Sequence, residues 1–221
     1  MPTKTTTLKQ PGEIAPPSLP KRPNTIFLDV LGDQAVYQDL LLAECDLSDQ
    51  TAEFATFETT HFKQVVMQRA VLRMLRLADV RLEACDLAES VCESISVSRA
   101  EFLGCRLIGL QATDGRIEDM LMRGCNASHA QFWGSVFKRV RFESCNLTEA
   151  NFQGADLTGV VFDKCDLRGA RMVDAKLVGA DLRSSQIDGA RAGIKELQGA
   201  IVNAEQAISI ARMLGVDVRL D

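Results

Sequence analysis

The sequence predicts an all-β solenoid whose chain turns four corners in each coil. Two spacings lead to this prediction. Between about residues 42 and 192, a large apolar residue recurs at every fifth position with few exceptions, and cysteines recur every 20 residues. Twenty residues hold four units of five, so each coil has four short sides and a square cross-section.

The five-residue period is incompatible with a straight helix and with a flat strand. Five steps along an α-helix rotate a side chain by about 140°, and an odd step along a strand turns it to the opposite face. The chain must therefore turn after every unit. The central apolar residues of the units are Leu47, Phe57, Phe62, Met67, Leu72, Leu77, Leu82, Leu87, Phe102, Leu107, Ile117, Met122, Phe132, Phe137, Phe142, Leu147, Phe152, Leu157, Phe162, Leu167, Met172, Leu177, Leu182 and Ile187.

Two further positions of the unit support this register. A mostly small residue stands two places before the centre, and both side chains point inward because they are two apart on an extended segment. Glycine concentrates two places after the centre, at the corner, where its permissive backbone helps the turn. Ten of the 15 glycines stand there: Gly104, Gly109, Gly124, Gly134, Gly154, Gly159, Gly169, Gly179, Gly189 and Gly199.

The cysteines form one column of the predicted solenoid. Those that are separated by multiples of 20 are Cys45, Cys85, Cys105, Cys125, Cys145 and Cys165. Neighbouring coils place them about 4.8 Å apart. A metal or redox array is the functional alternative, but metal ligands converge on one point and a column does not. We therefore interpret the thiols as small, polarizable core residues and expect neither metal nor cofactor.

The repeat units resemble those of the bacterial pentapeptide-repeat family. The units that carry the resemblance most clearly are Ala-Asp-Leu-Thr-Gly at 155–159, Ala-Asn-Phe-Gln-Gly at 150–154 and Ala-Asp-Leu-Arg-Ser at 180–184. About 31 consecutive units, or about two-thirds of the chain, keep the register. The resemblance implies a right-handed quadrilateral parallel β-helix of just under eight coils, roughly 37 Å long.

The ends of the chain depart from the period. All six prolines fall at or before Pro23, so residues 1–24 are predicted to be a disordered, proline-rich tail and residues 25–41 an N-terminal cap. The β-helix is assigned to residues 42–202. In the final segment, 203–221, Asn203 and Gln206 have the spacing of a capping box and Gly215 that of a helix stop, which predicts a short C-terminal α-helix over the open end.

The last residues suggest one partner. Val216, Val218 and Leu220 alternate with charged residues, as in a strand that could pair with another. A homodimer through the C-terminal segment is therefore a hypothesis.

Composition favours a cytoplasmic protein with neither a membrane nor a nucleic acid as direct partner. No apolar run suits a signal peptide or approaches the roughly 18 residues of a membrane span. The cysteine count of seven is odd, which favours reduced thiols. The net charge of −5 argues against general nucleic-acid binding, which needs a basic surface.

The sequence carries no recognisable catalytic set. Its two histidines, His61 and His129, fall on outward positions more than three coils apart. A nucleophile with a base partner cannot be built from them, so we predict that the protein is not an enzyme.

Two outer surfaces could bind a partner. The cysteine face, made of the units that start at Cys45 and at every twentieth residue after it, is the most acidic. Its acids are Asp46, Asp49, Asp86, Glu89, Glu149, Asp166 and Asp188. The resemblance implies an alternative function here, because some pentapeptide-repeat proteins mimic DNA and bind DNA gyrase. However, Arg69, Arg106 and Arg168 interrupt the acidic stripe.

The tryptophan face, made of the units that start at Gln50 and at every twentieth residue after it, carries the least charge. Its candidate contact residues are Phe54, Met74, Val91, Trp133 and Val173. Exposed apolar residues around an aromatic anchor are typical of protein-binding surfaces, although scattered surface hydrophobics are also normal. The leading prediction is a non-enzymatic interaction module or scaffold with an unknown protein partner.

Overall fold

The computed structural model describes residues 14–213 and 215–219. Parallel β-pairing joins each coil to the next, which confirms the quadrilateral parallel β-helix with a short C-terminal helix. The elements are β1 (Asn24–Ile26), β2 (Val36–Gln38), β3 (Leu40–Ala43), β4 (Thr51–Glu53), β5 (Thr56–Glu58), β6 (His61–Lys63), β7 (Val71–Arg73), β8 (Arg76–Glu83), β9 (Ser96–Leu103), β10 (Arg116–Arg123), β11 (Val136–Glu143), β12 (Val161–Asp163) and α1 (Ala204–Met213).

The four sides of the coil differ in regularity. Strands β8 to β11 each run around a corner and thereby cover two adjacent sides. We call the first of these sides the ladder face (units that start at Ala55 and every twentieth residue after it) and the second the fourth face (units that start at Thr60). The cysteine face is held mainly by single bridges between residues 20 apart, from Asp46↔Val66 to Asp166↔Gln186.

The core is a single stack of apolar layers inside the coils. Every predicted central residue is buried, and so are the small residues two places before the centre, such as Ala150 and Ala180. Phenylalanines of successive coils stack, with 5.2 Å between the ring centroids of Phe132 and Phe152. The five-residue pattern therefore identifies the core residue by residue.

The corners adopt a left-handed backbone whether or not they hold glycine. The ten predicted corner glycines have φ between 61° and 78°. Non-glycine residues take the same conformation elsewhere, including Phe54 with φ 58° and Met74 with φ 53°. A left-handed backbone costs a residue with a Cβ roughly 1–2 kcal/mol, so the repeat tolerates strain at these corners.

The β-helix starts earlier than the predicted boundary at residue 42. Strand β2 pairs with β5 in the ordinary register of 20, and the ring of Tyr37 stacks on Phe57 with centroids 4.6 Å apart. Strand β1 adds to β3 with an offset of 16, as in Thr25↔Leu41. The expected cap, 25–41, therefore forms the first coil, because Tyr37 takes the place of a central apolar residue.

Part of the predicted tail lies against the β-helix. Residues 1–13 are outside the described part of the chain. The next ten, 14–23, which we call the N-terminal strap, have no helix or strand, yet Ala15 is buried. The amide of Ala15 donates to Asp119 Oδ1 at 3.0 Å, and the amide of Ser18 donates to Asp79 Oδ1 at 2.9 Å. These carboxylates hold a segment that composition alone assigns to a free tail.

Helix α1 begins and ends as predicted. The Gln206 amide donates to Asn203 Oδ1 at 2.8 Å and the Asn203 amide donates to Gln206 Oε1 at 2.9 Å, which is a capping box. At the other end, Gly215 has φ 82° and its amide bonds the carbonyl of Arg212. Together with the bond from Val216 to Ala211, this closes a Schellman motif.

The buried side of α1 faces the last coil. Gln206 is buried and its Nε2 donates to the carbonyls of Leu182 and Ser185, at 2.7 and 2.6 Å. Ile210 packs against the apolar core one turn later. Gln206 thereby binds two backbone carbonyls at the open end of the β-helix. In the described residues, no helix has both the length and the apolar character required to span a membrane.

Candidate protein-binding surfaces

The cysteine column has a structural explanation in the bonds of each thiol. Cys125 Sγ lies 3.4 Å from the carbonyl of Phe102, and Cys145 Sγ lies 3.3 Å from that of Met122. Ser185 occupies the same position two coils after Cys145 and donates to Phe162 O at 2.8 Å. A thiol thus replaces a hydroxyl as the donor that satisfies a carbonyl 23 residues earlier in the chain.

The thiols are closed to solvent. All seven cysteines are free and buried, and burial raises the pKa of Cys92 to about 12. Among the described residues, no three or more His, Cys, Asp or Glu side chains are grouped so that they could hold a metal ion.

The two histidines lie apart. His61 is half-buried on the fourth face with Nε2 3.3 Å from Glu83 Oε2, whereas His129 is exposed at a corner of the cysteine face.

The acidic stripe of the cysteine face is partly neutralised by arginines of the same face. Three of its acids form ion pairs with arginines of that face: Asp49 with Arg69 at 2.6 Å, Asp86 with Arg106 at 3.0 Å, and Asp166 with Arg168 at 2.6 Å. Asp46 accepts the amide of Ser48. Among the described residues, Glu89, Glu149 and Asp188 have no ion pair within 4.0 Å. The three paired acids are therefore less available to a partner than the three acids without an ion pair.

The hydrogen-bonded carboxylates of this face predict how the stability of the fold changes at low pH. The Arg168 side chain lowers the pKa of Asp166. For Asp86, burial raises the pKa, but bonds from Ala88, Gln68 and Arg106 outweigh it, so the pKa lies below its usual value. A carboxyl group whose pKa is lower in the folded state than in the unfolded state stabilises the fold at any pH above its unfolded pKa. This stabilisation is lost as the pH falls through the folded pKa. We expect urea midpoints to be equal at pH 7 and 5 and clearly lower at pH 3. An unchanged midpoint at pH 3 would contradict this expectation.

The candidate residues of the tryptophan face are mostly exposed but not contiguous. Phe54, Met74, Trp133 and Val173 are 50%, 49%, 48% and 44% exposed. Val91 is half-buried and forms one β-bridge with Val71 on the previous coil and another with Gln111 on the next. At about 4.8 Å per coil, Phe54 and Met74 are neighbours, Trp133 follows about 14 Å further on, and Val173 about 10 Å beyond it. The face therefore has two apolar centres rather than one strip.

Polar amide side chains stand beside Trp133 in its own unit and on the next coil. Gln131 stands two residues before it, and Asn151 and Gln153 occupy the matching places on the next coil. Asn151 Nδ2 donates to Gln131 Oε1 at 3.0 Å, which orders the amides into a row. A large exposed ring beside ordered amides can contribute both buried area and hydrogen bonds to a contact.

Two features escaped the reading of the sequence. The first is a set of exposed apolar residues near the two ends of the β-helix: Phe27, Val30, Val36 and Ile194. The second is a column of alternating charge on the ladder face, Asp79, Arg99, Asp119 and Arg139, which the 20-residue spacing could have shown.

Comparison with known proteins identifies the family. The model of the pentapeptide repeat region matches residues 75–152, 95–172 and 135–192, which together cover more than half of the chain. The chain belongs to the pentapeptide repeat family. No curated protein matches this pentapeptide repeat protein.

Solved structures of other pentapeptide repeat proteins are similar. HetL, a pentapeptide repeat protein involved in heterocyst differentiation regulation from the cyanobacterium Nostoc sp. strain PCC 7120, is 16% identical, with a TM-score of 0.50 over 77% of this chain and 87% of its own. Full-length QnrB1, a plasmid-mediated fluoroquinolone resistance protein, is 20% identical, with a TM-score of 0.36 over 82% of this chain and 100% of its own. The likeness to HetL shows a shared fold.

Proposed function

We propose that this pentapeptide repeat protein is a non-enzymatic interaction module that presents its tryptophan face to another protein. The observation that carries the proposal is Trp133, which is 48% exposed on a backbone held by its neighbouring coils. A rigid aromatic side chain loses little conformational entropy on binding, and tryptophan is enriched among the residues that dominate interface energies.

Phe54 and Met74 add a second line of support. Both stand at corners, and their side chains are 50% and 49% exposed, so they contribute little to the core and remain available to a partner. Two large apolar side chains on neighbouring coils are therefore the second contact centre of the proposed surface.

The test is affinity capture from a lysate of the host, with matched variants as baits. Trp133→Glu places a charge at the proposed anchor, and Val178→Glu places the same charge at a residue of another face that is 57% exposed. We expect a partner that the unaltered chain and Val178→Glu both retain and that Trp133→Glu loses at least about tenfold. Equal retention by all three baits would exclude Trp133 as the anchor.

The Phe54–Met74 centre has its own variant. Glycine at both corners removes the side chains and the backbone strain together, so Phe54→Gly with Met74→Gly should leave the urea midpoint unchanged or higher. Loss of the partner by a variant that is not destabilised would assign the contact to these side chains. Full retention would confine the surface to Trp133.

The alternative is a DNA-mimicking modulator of DNA gyrase that uses the cysteine face. The ion pairs of Asp49, Asp86 and Asp166 count against it, because a mimic needs unpaired negative charge. The acids without a salt bridge allow a clean test. Glu89→Lys with Glu149→Lys should abolish binding to purified gyrase if the alternative holds, and rising salt should weaken binding strongly.

The proposal also covers location and self-association. We place the protein in the cytoplasm, where its free thiols stay reduced. A second copy is a further partner for the C-terminal end, where Ile194 is 72% exposed and Val216 is 54% exposed. Residues 216–219 form no strand in the structure, and Leu220 lies outside the described residues.

A further inference from the structure

The ladder face carries a charged column that binds the chain's own N-terminal strap. Arg99 binds Asp79 through two nitrogens, at 2.7 and 2.5 Å, and Arg139 binds Asp119 through two, both at 2.8 Å. Each guanidinium fixes one carboxylate in place. The bond from Arg99 also lowers the pKa of Asp79. Fixed, ionised carboxylates form stronger hydrogen bonds with amide donors than neutral acceptors do.

The two anchors of the strap match the spacing of the coils. Asp79 and Asp119 are two coils apart, which is about 9.6 Å. The amides that they bind, those of Ser18 and Ala15, are three residues apart, which an extended or polyproline chain spans in about 9–10 Å. The strap therefore runs along the axis of the β-helix, across the coils rather than around them.

Proline suits the space between the anchors. The residues between Ala15 and Ser18 are Pro16 and Pro17, which have no amide hydrogen. The fixed φ of proline also favours the extended path that the two anchors require. The Pro-Pro pair therefore separates the two donating amides by the distance between the two carboxylates. It adds no further amide donor between them.

Burial along the ladder face follows the path of the strap. In the row of outward side chains one place after the centre, Ala78 beside the anchor Asp79 is only 8% exposed, and Ser98 and Glu118 are half-buried, as is Glu58. Further along the same row Lys138 is exposed, and the exposed fraction of Val178 is 57%. Since Ala78 points away from the core, its burial indicates a cover on the outside.

We propose that the ladder face between Asp79 and Asp119 is a recognition site for an extended, proline-rich peptide with free amides three residues apart, and that the strap occupies this site in cis. The partner is a polypeptide segment of the same pattern as Ala15–Ser18. This site is on a different side from Trp133 and is independent of the tryptophan face. Because only residues 19–23 separate the anchoring amide of Ser18 from β1, a free peptide competes against a local concentration in the millimolar range.

The experiment measures whether the strap covers residue 78, by the labelling rate of a single introduced cysteine in the full-length chain. All seven native cysteines are at most 2% exposed, so they are silent towards a thiol reagent in the folded protein. Ala78→Cys places a thiol beneath the strap. Val178→Cys is the matched control, at the same place in its unit on the same face. Ser18→Pro removes one anchoring amide, and Ser18→Ala keeps it.

We expect Ala78→Cys to react at least about tenfold more slowly than Val178→Cys, to react faster when Ser18→Pro is added, and to be unaffected by Ser18→Ala. A fluorescein-labelled peptide with the sequence of residues 14–23 should bind the Ala78→Cys/Ser18→Pro protein and slow its labelling again. Equal rates for the two cysteines, or no effect of Ser18→Pro, would refute the cis cover. Failure of the peptide to bind or protect would refute recognition in trans.

Discussion

Replacing Phe152 by alanine is expected to lower the free energy of unfolding by about 3–5 kcal/mol. Its side chain is fully buried and lies among aromatic rings of its own coil and the adjacent coils. The ring centroid is 5.2 Å from that of Phe132 and 6.0 Å from that of Phe162. Alanine would leave a cavity between coils whose backbone bonds prevent collapse, so the lost contacts are not recovered.

The measurement is urea unfolding, with Phe27→Ala as the control. Phe27 is 72% exposed, so its truncation should change the free energy of unfolding by no more than about 0.5 kcal/mol. Because solenoid coils contact only their neighbours, hydrogen exchange of the Phe152 variant should accelerate most in the adjacent coils. Similar losses for the two variants would contradict the assigned core.

The core of this protein could be predicted from sequence because its period is short and unusual. A repeat of five allows only one assignment of inward and outward positions, and the column from Cys85 to Cys165 then gives the number of sides. The sequence predicts a special corner backbone only where glycine stands, but the left-handed conformation occurs at corners with and without glycine. Phe54 therefore shares the conformation of Gly134 although its sequence gives no sign of it.

The contacts that escaped prediction are those between distant parts of the chain. The strap has the composition of a disordered tail, and what holds it is Asp119, 104 residues after Ala15. The register also says that Val91 points outward, but not that the backbone bridges on both sides leave it half-buried. The face of a residue follows from the period, while its exposure depends on neighbours one coil away.

The second large effect on stability is expected at Gly115, which lies between larger inward side chains of the two neighbouring coils. Gly115 takes the inward place two before the centre, with Ile95 one coil earlier and Ser135 one coil later. A Cβ on Gly115 would lie 3.0 Å from Ile95 Cγ2 and 3.3 Å from Ser135 Oγ. Its φ is not in the left-handed region, unlike those of the corner glycines, so the obstacle to a larger residue is contact alone.

We expect Gly115→Val to destabilise the fold by about 1–3 kcal/mol, because Ile95 must leave its rotamer or the coils must separate. Ile95→Ala, which leaves a cavity, should cost about 2–4 kcal/mol by itself. In the double variant the added methyl groups occupy the space vacated by Ile95, so its loss should be smaller than the sum of the two single losses by at least about 1 kcal/mol. Urea unfolding of the four proteins measures this coupling directly. Additive losses would mean that the two positions do not share one volume.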